Sequence, residues 1–354
     1  MTNRTKPAIA AALALLLALS MAACALPSPV PVEDGSPTVA SDFTPTENTT
    51  AQSSGAYVVD TTDMVGNAVR LSAYPERIVV LDPGDCEVLF AIGAGSSVVG
   101  RSLACNYPAE VNLLPYATAN GKNDPDVLLL REPQLVIMGM EDAADTDLVD
   151  TLKANGVAIA VTNVTDINNM YGAIALLGAL TNRVTEANAL VSELVTAVAA
   201  MQAKVSAHND TVYLELTPLT EGMTTFGGGT IYSSLISLMG YHNEFEDQAG
   251  LISVTQDQVV GRSPDVILTA EKEPSPDAVA ETPDPAATPD PEANALHGKA
   301  EILARTEWAA VDAIKNAKVY YFDPALITRA GPRIIDGMNA LYTLLYENTQ
   351  PEFK

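Results

Sequence analysis

Asp126-Val127-Leu128-Leu129-Leu130-Arg131-Glu132-Pro133-Gln134-Leu135-Val136-Ile137 and Asp257-Gln258-Val259-Val260-Gly261-Arg262-Ser263-Pro264-Asp265-Val266-Ile267-Leu268 are two versions of one pattern. In each, an Asp opens a short apolar segment of helical type, an Arg stands two residues before a Pro, and an apolar, β-rich run follows. Taken singly, either stretch is a helix start and a proline that introduces a strand. Recurring with the same seven-residue step from Asp to Pro, they point to two related α/β lobes.

Working outward from these stretches, apolar runs at 78–81, 98–100, 135–138 and 157–161 alternate with helical segments, and the scheme repeats at 212–216, 266–268 and 319–322. The runs of the first half lack the polar alternation of half-exposed strands, so both faces are expected to be covered by helices. This is the signature of α/β units on parallel sheets. The intervening stretch 167–208 has helical composition and no proline, although Gly172 and Gly178 weaken its first part. Its best helix is 184–207, with Leu190, Leu194, Val198 and Met201 at three- and four-residue steps. A helix of that length would be a rod of about 36 Å. The expected organisation is one lobe at 57–166, a helical segment at 167–208 that includes a single connecting helix, and a second lobe at 209–354.

The chain has 354 residues, 47% of them hydrophobic, a formal charge of −25 and a mean hydropathy of +0.13. That is enough apolar content for two cores, while 19 basic residues against 44 acids exclude nucleic acid as a partner. They also exclude docking to an anionic membrane through a basic face. Arg4 and Lys6, the apolar stretch 8–19 and the small residues before Cys24 have the layout of a secretory signal over 1–23. Cys24 after Ala22-Ala23 resembles the lipobox of bacterial lipoproteins, in which that thiol is acylated and becomes the new N-terminus. The Pro/Ser/Thr/acid-rich residues from 25 to about 56 read as a flexible tether behind the lipid. Residues 271–296 hold seven acids and six prolines and read as a disordered insertion in the second lobe. Cys86 and Cys105 are open to two readings, a disulfide of an oxidising compartment or two separate thiols. No CxxC or clustered histidine supports a metal site, since His208, His242 and His297 are scattered.

The opening Glu76-Arg77-Ile78-Val79, Leu81-Asp82-Pro83, the segment 87–95 and Val98-Val99-Gly100 resemble the start of the substrate-binding proteins of ABC importers for ferric siderophores and cobalamin. Cys105-Asn106-Tyr107-Pro108 is similar to that family's next loop, residues 124–137 to its segment before the third strand, and Thr328-Arg329-Ala330-Gly331-Pro332-Arg333 to its closing motif. The resemblance implies two Rossmann-like lobes joined by one backbone helix, a ligand held between them, and an ABC permease with its ATPase as partners. It also implies that one carboxylate in each lobe, here Asp126 and Asp257, docks into arginines of the permease. Two charges at fixed separation would set both orientation and register on a basic partner.

In open α/β sheets the ligand lies outside the carboxyl ends of the strands, which nominates the loops 82–87, 101–107, 139–141, 221–229 and 324–329. Arg101 and Arg329 are the sharpest candidates, because an iron-siderophore chelate is commonly anionic and a guanidinium offers several donors at fixed charge. Tyr107 and Phe226 would supply flat apolar contacts, with Met140 and Cys105 as further candidates. Cobalamin binders of this family usually line the cleft with several Trp or Tyr side chains, whereas this chain has one Trp, so a corrinoid is the second reading. Haem would need an axial Tyr, His or Met, for which Tyr107, Met140 and His242 are available without a haem motif. No GxSxG elbow, Walker loop or HExxH is present, and Gly93-Ala94-Gly95 follows a helix instead of opening one. The expectation is a binding protein without enzymatic activity or resident cofactor, an exported hydrolase or a receptor without a transporter being the alternatives.

Overall fold

Ile78, Val79 and Val80 form a strand, β1 (Ile78–Val80), buried on both faces. Successive side chains of a strand point to opposite sides, so Ile78 and Val80 enter one apolar cluster and Val79 another. The same division runs through β2 (Val98–Arg101), β3 (Leu135–Met138) and β4 (Ala158–Val161), which pair in the order β2-β1-β3-β4, all parallel. The computed structural model in which these elements lie describes residues 57–273 and 297–353. Cys24, the expected signal and tether, and residues 274–296 of the expected insertion fall outside the described residues.

The second sheet is built from β5 (Thr211–Glu215), β6 (His242–Asn243), β7 (Val266–Thr269) and β8 (Val319–Tyr321) in the order β6-β5-β7-β8, again parallel. Both lobes thus arrange their four strands in the order second, first, third, fourth. The two echoed stretches occupy equivalent places, each directly before the third strand of its sheet. Seven of the eight strands coincide with the apolar runs. The edge strand β6, two residues long with an exposed His, carried no apolar signal.

The lobes meet on a shared layer of helix. Residues 167–208 hold α1 (Ile167–Leu180) and α2 (Val184–Gln202), packed on each other. Asp166 caps α1 by accepting from the Asn169 amide at 2.8 Å, and the turn between the helices passes through Asn182 at φ 57°. Helix α2 stops at Gln202, short of the expected 207, because the chain is drawn down into β5: Ser206 N donates to Tyr346 Oη and His208 N to Gly240 O. One apolar cluster joins Ile78, Val80 and Ile137 to Ile174, Leu177, Val191 and Leu194 of this layer, and continues to Val212, Leu214 and Leu268. The outer faces are closed separately, by Leu128, Leu148 and Leu152 in the first lobe and by Ile302, Trp308 and Phe245 in the second.

The first residues of the expected insertion are anchored. Glu271 Oε1 lies 2.7 Å from His297 Nδ1, its other oxygen accepts from Gly298 N at 2.9 Å, and Glu273 accepts from Ala300 N at 3.0 Å. The two flanks of 274–296 are therefore fastened to each other, a pairing between distant polar residues that composition does not reveal.

Gly178 is the contact point of α1 and α2, since a Cβ there would stand 2.5 Å from Ala187 Cβ, whereas a Cβ on Gly172 would meet nothing within 4 Å. Urea denaturation should therefore separate the two glycines. Gly178→Ala is expected to cost about 1 to 3 kcal/mol by overpacking, while Gly172→Ala should gain up to about 1 kcal/mol of helix propensity.

Candidate functional site

At the end of β1 the chain turns through Asp82-Pro83 into α3 (Pro83–Ala91; helices beyond the shared layer are labelled as they are met). Asp82 Oδ1 accepts from the amides of Gly84 at 2.7 Å and Asp85 at 3.0 Å, and Pro83 occupies the first helical position, where no amide is needed. Gly84 is required by a close approach: a Cβ would stand 2.9 Å from the amide nitrogen of Ala330, on the facing lobe. Here lies a cavity of about 160 Å³, lined by Asp82 and Asp85 from the end of β1, Gly139 and Met140 from the end of β3, and Thr162, Asn163 and Val164 from the end of β4. The second lobe closes it with Thr328 and Ala330. Its position follows from the parallel sheet, whose strand ends leave a crevice on one side only.

The floor is acidic. Thr162 Oγ1 donates to Asp85 Oδ2 at 2.6 Å, and Asp85 is 3% exposed. Burial, and after it the charge of Asp82, push the Asp85 carboxyl well above the ordinary range, against the Thr162 hydrogen bond. Burial raises Asp82 too, opposed by its two backbone hydrogen bonds. The pair offers several acceptor oxygens to the cavity.

The rim is ionic and joins the lobes. Glu87, its side chain 1% exposed, accepts from Arg333 Nε at 2.9 Å and Nη2 at 2.5 Å, a bidentate pairing. The Arg333 guanidinium lies 4.2 Å from the centre of the Tyr107 ring. Arg329 Nη1 donates to Asn106 Oδ1 at 2.5 Å and stands 3.8 Å from Glu87 Oε1. One buried carboxylate of the first lobe is thus shared by two arginines of the second.

Of the residues expected in the cleft, Met140 lines the cavity, while Arg329 and Tyr107 belong to the ionic contact between the lobes and are not among the cavity-lining residues. Arg101 does not reach it. Only 2% exposed, it donates through Nη1 to Cys105 O at 2.5 Å and through Nε to Leu114 O at 3.3 Å, beneath the Tyr116 ring at 4.2 Å. As the last residue of β2 it turns inward and holds the loop that follows. Cys105, within that loop, is fully buried. Phe226 sits in a short strand, Thr224–Phe226, with its ring 6.2 Å from Tyr232, and is not among the cavity-lining residues. The histidines do not converge: His242 faces Glu246 at 3.6 Å, His297 faces Glu271, and His208 stacks on Tyr241. Among the described residues no group of three His, Cys, Asp or Glu could hold a metal ion.

Sequence reasoning nominated the loop containing Asp82, Asp85 and Glu87 by position but chose none of these acids as a ligand contact, named Arg333 only within the closing motif, and did not name Thr162. The strand-end rule already pointed at 162–164, directly after the apolar run at 157–161. Asp126 and Asp257 are both exposed and both the second residue of a short helix, α4 (Pro125–Leu129) and α5 (Gln256–Arg262). Capping falls instead to Asp124, which accepts from Val127 N, and to Thr255, which accepts from Gln258 N.

A carboxyl whose folded-state pKa is raised binds its proton more tightly in the native than in the unfolded chain, so its burial costs stability as pH rises above the unfolded value. Asp85→Asn should therefore be more stable than the native chain near neutral pH, with the gap closing as pH falls to about 3. Denaturation curves at a series of pH values check this; a gap independent of pH would contradict it.

The sequence matches the family described as periplasmic binding protein over residues 78–326. It is 25% identical over 306 residues to YvrC of Bacillus subtilis, an uncharacterised ABC transporter substrate-binding lipoprotein, covering 85% of this chain and 90% of that one. It is 22% identical over 311 residues to a cobalamin-binding protein of Halobacterium salinarum, covering 86% and 79%. Among solved structures, that of an ABC-type Fe3+-hydroxamate transport system from Saccharomonospora viridis superposes with a TM-score of 0.61 at 20% identity, over 81% of this chain and 99% of that one. Two like-ordered parallel sheets, a cavity at their strand ends and a family match spanning both lobes agree: the chain belongs to the periplasmic binding protein family.

Proposed function

We propose that this chain is the extracytoplasmic, lipid-anchored receptor of an ABC importer, capturing a metal chelate between its lobes and handing it to a permease driven by an ATPase. The observation that carries the reading is the cavity at the ends of β1, β3 and β4, closed by Thr328 and Ala330 of the other lobe. The relatives, a cobalamin-binding protein and an ABC transporter substrate-binding lipoprotein, support the class. Cys24 is the proposed site of the lipid, outside the described residues. Met140, Arg329 and Tyr107 remain the proposed contacts, joined now by Asp85 and Thr162.

The chelate is of the iron-siderophore type, with a corrinoid as second reading, and the acidic floor narrows its charge. A polyanionic chelate would set its carboxylates or catecholates against Asp82 and Asp85, while Arg329 and Arg333 are already engaged with Asn106 and Glu87. A neutral or cationic chelate carrying N–H or O–H donors, such as a ferric hydroxamate or the carboxamide-fringed corrinoid, meets acceptors instead. A cavity of about 160 Å³ is smaller than the ~300–1,000 Å³ typical of ligand pockets, so the rim contacts must part on entry.

Calorimetric titration with a cationic ferric hydroxamate, cyanocobalamin, haem and an anionic ferric catecholate tests this. Stoichiometric binding without turnover is expected, at least tenfold tighter for one of the first two than for either polyanion. Turnover of any of them, or preference for a polyanion, would overturn it. Trp308 fluorescence is a poor reporter, because the indole is fully buried against Arg305 in the outer cluster of the second lobe.

Asp126 and Asp257 are the proposed permease contacts, each exposed on a short helix before the third strand of its sheet. Asp126→Lys with Asp257→Lys should abolish uptake of labelled ligand in vesicles carrying the transporter. Ligand affinity should stay within about threefold, as expected for surface substitutions.

A further inference from the structure

Glu87 and its arginines come from different lobes, yet the carboxylate is almost wholly enclosed: its side chain is 1% exposed, against 18% for Arg333 and 16% for Arg329. Two glycines bring the lobes this close. A Cβ on Gly84, one turn before Glu87 in α3, would stand 2.9 Å from Ala330 N, and a Cβ on Gly331 would stand 3.2 Å from Gly84 O and 3.4 Å from Glu87 Cβ. With the two backbones in contact there, Glu87 takes two bonds from Arg333 and lies 3.8 Å from Arg329 Nη1, which itself crosses to Asn106. The same contact covers the cavity. Asp82 and Asp85, on either side of Gly84, and Thr328 and Ala330, on either side of Arg329, all line it, whereas Glu87 and Arg333 do not. A space of about 160 Å³ beneath it is well under the ~300–1,000 Å³ of ligand pockets, so a chelate and the Glu87 pairing exclude one another.

We propose that Glu87 sets the affinity of the cleft without touching the ligand: paired with Arg333 and Arg329 it holds the lobes shut over the cavity, and a ligand binds only those molecules in which the pairing has parted. The apparent dissociation constant is then the intrinsic one divided by the parted fraction. On the far side the lobes are joined by the apolar layer around α1 and α2, whose burial has no direction and tolerates a small rotation. Glu87→Gln is the informative change, because it removes the buried charge and leaves two partly exposed arginines to water. Arg333→Gln would instead leave the buried carboxylate with Arg329 alone at 3.8 Å, which is destabilising in itself. The effect on affinity rests on the receptor function proposed above, while the latch itself does not, so the two are read separately.

The latch is read on the full chain without ligand, by hydrogen exchange and mass spectrometry. In Glu87→Gln the segments 82–88 and 328–334 should exchange at least about tenfold faster, while β3 at the sheet centre keeps its protection. The affinity is read by stopped-flow with a cationic ferric hydroxamate and with cyanocobalamin. Association of each chelate that binds should be at least about fivefold faster in Glu87→Gln and dissociation unchanged within about twofold, because the bound form has already lost the pairing. Gly84→Ala, whose methyl would wedge the same contact apart without removing a charge, should also speed association. Unchanged exchange in Glu87→Gln means there is no latch. An unchanged association rate, a gain carried by slower dissociation, or a gain that Gly84→Ala does not share overturns the proposed role in affinity. If exchange is faster but neither the native chain nor the variants bind either chelate, the latch stands and the receptor reading falls.

Discussion

Two sheets share one apolar layer, and the rest of the molecule is arranged around that fact. The facing sides of both sheets, through Ile78, Val80 and Ile137 in one and Val212, Leu214 and Leu268 in the other, enter the single cluster that α1 and α2 fill. Burial of this kind is favourable at roughly 25 cal/mol per Å² and has no direction, so it resists separation of the lobes but tolerates a small rotation of one against the other. The opposite attachment is of another kind. At the cleft the lobes meet through Glu87, Arg329, Arg333 and Asn106, directional bonds that water can replace. A continuous apolar hinge on one side and a breakable ionic rim on the other suit a clamp.

The two lobes also use acids at equivalent strand ends for different ends. In the second lobe Glu215, the last residue of β5, is taken up by Arg305 at 2.7 and 2.8 Å, with Glu301 as a further partner and Trp308 stacked 4.3 Å from the guanidinium. That carboxylate is neutralised within the lobe. Asp82 and Asp85, just beyond the end of β1, have no such arginine and open on the cavity. The asymmetry leaves the first lobe's strand ends to supply the acids of the cavity wall and the second lobe to supply the covering loop. Burying an acid pair is costly: at Asp82 two backbone hydrogen bonds and the charge of Arg329 oppose the upward push of burial, while the Asp85 carboxyl is driven well above the ordinary range.

Much of the fold could be read from local pattern. Strands such as Leu135–Met138 and Val266–Thr269 announce themselves because burial on both faces demands an unbroken apolar run, and the helix after Asp82 is marked by a capping Asp with Pro behind it. The repeat of Asp, Arg and Pro ahead of the third strand was visible for the same reason. The exposed His242–Asn243 edge strand had no such run, and the clasp of Glu271 on His297 joins residues that no periodicity links. Gly178 read as a weakness of a helix and proved to be the place where two helices touch.

Residue order along the chain determined the elements, their alternation and the kinship of the lobes, because each depends on neighbours a few positions away. Only the tertiary structure decided which polar side chains face the cavity. Arg101 and Arg329 look alike in sequence, yet one turns inward to hold Cys105 O and Leu114 O while the other crosses to Asn106 of the facing lobe. Glu87 became the centre of the rim through an arginine 246 positions away. Where a side chain spends its charge depends on what stands opposite it, and that is set by how distant segments pack.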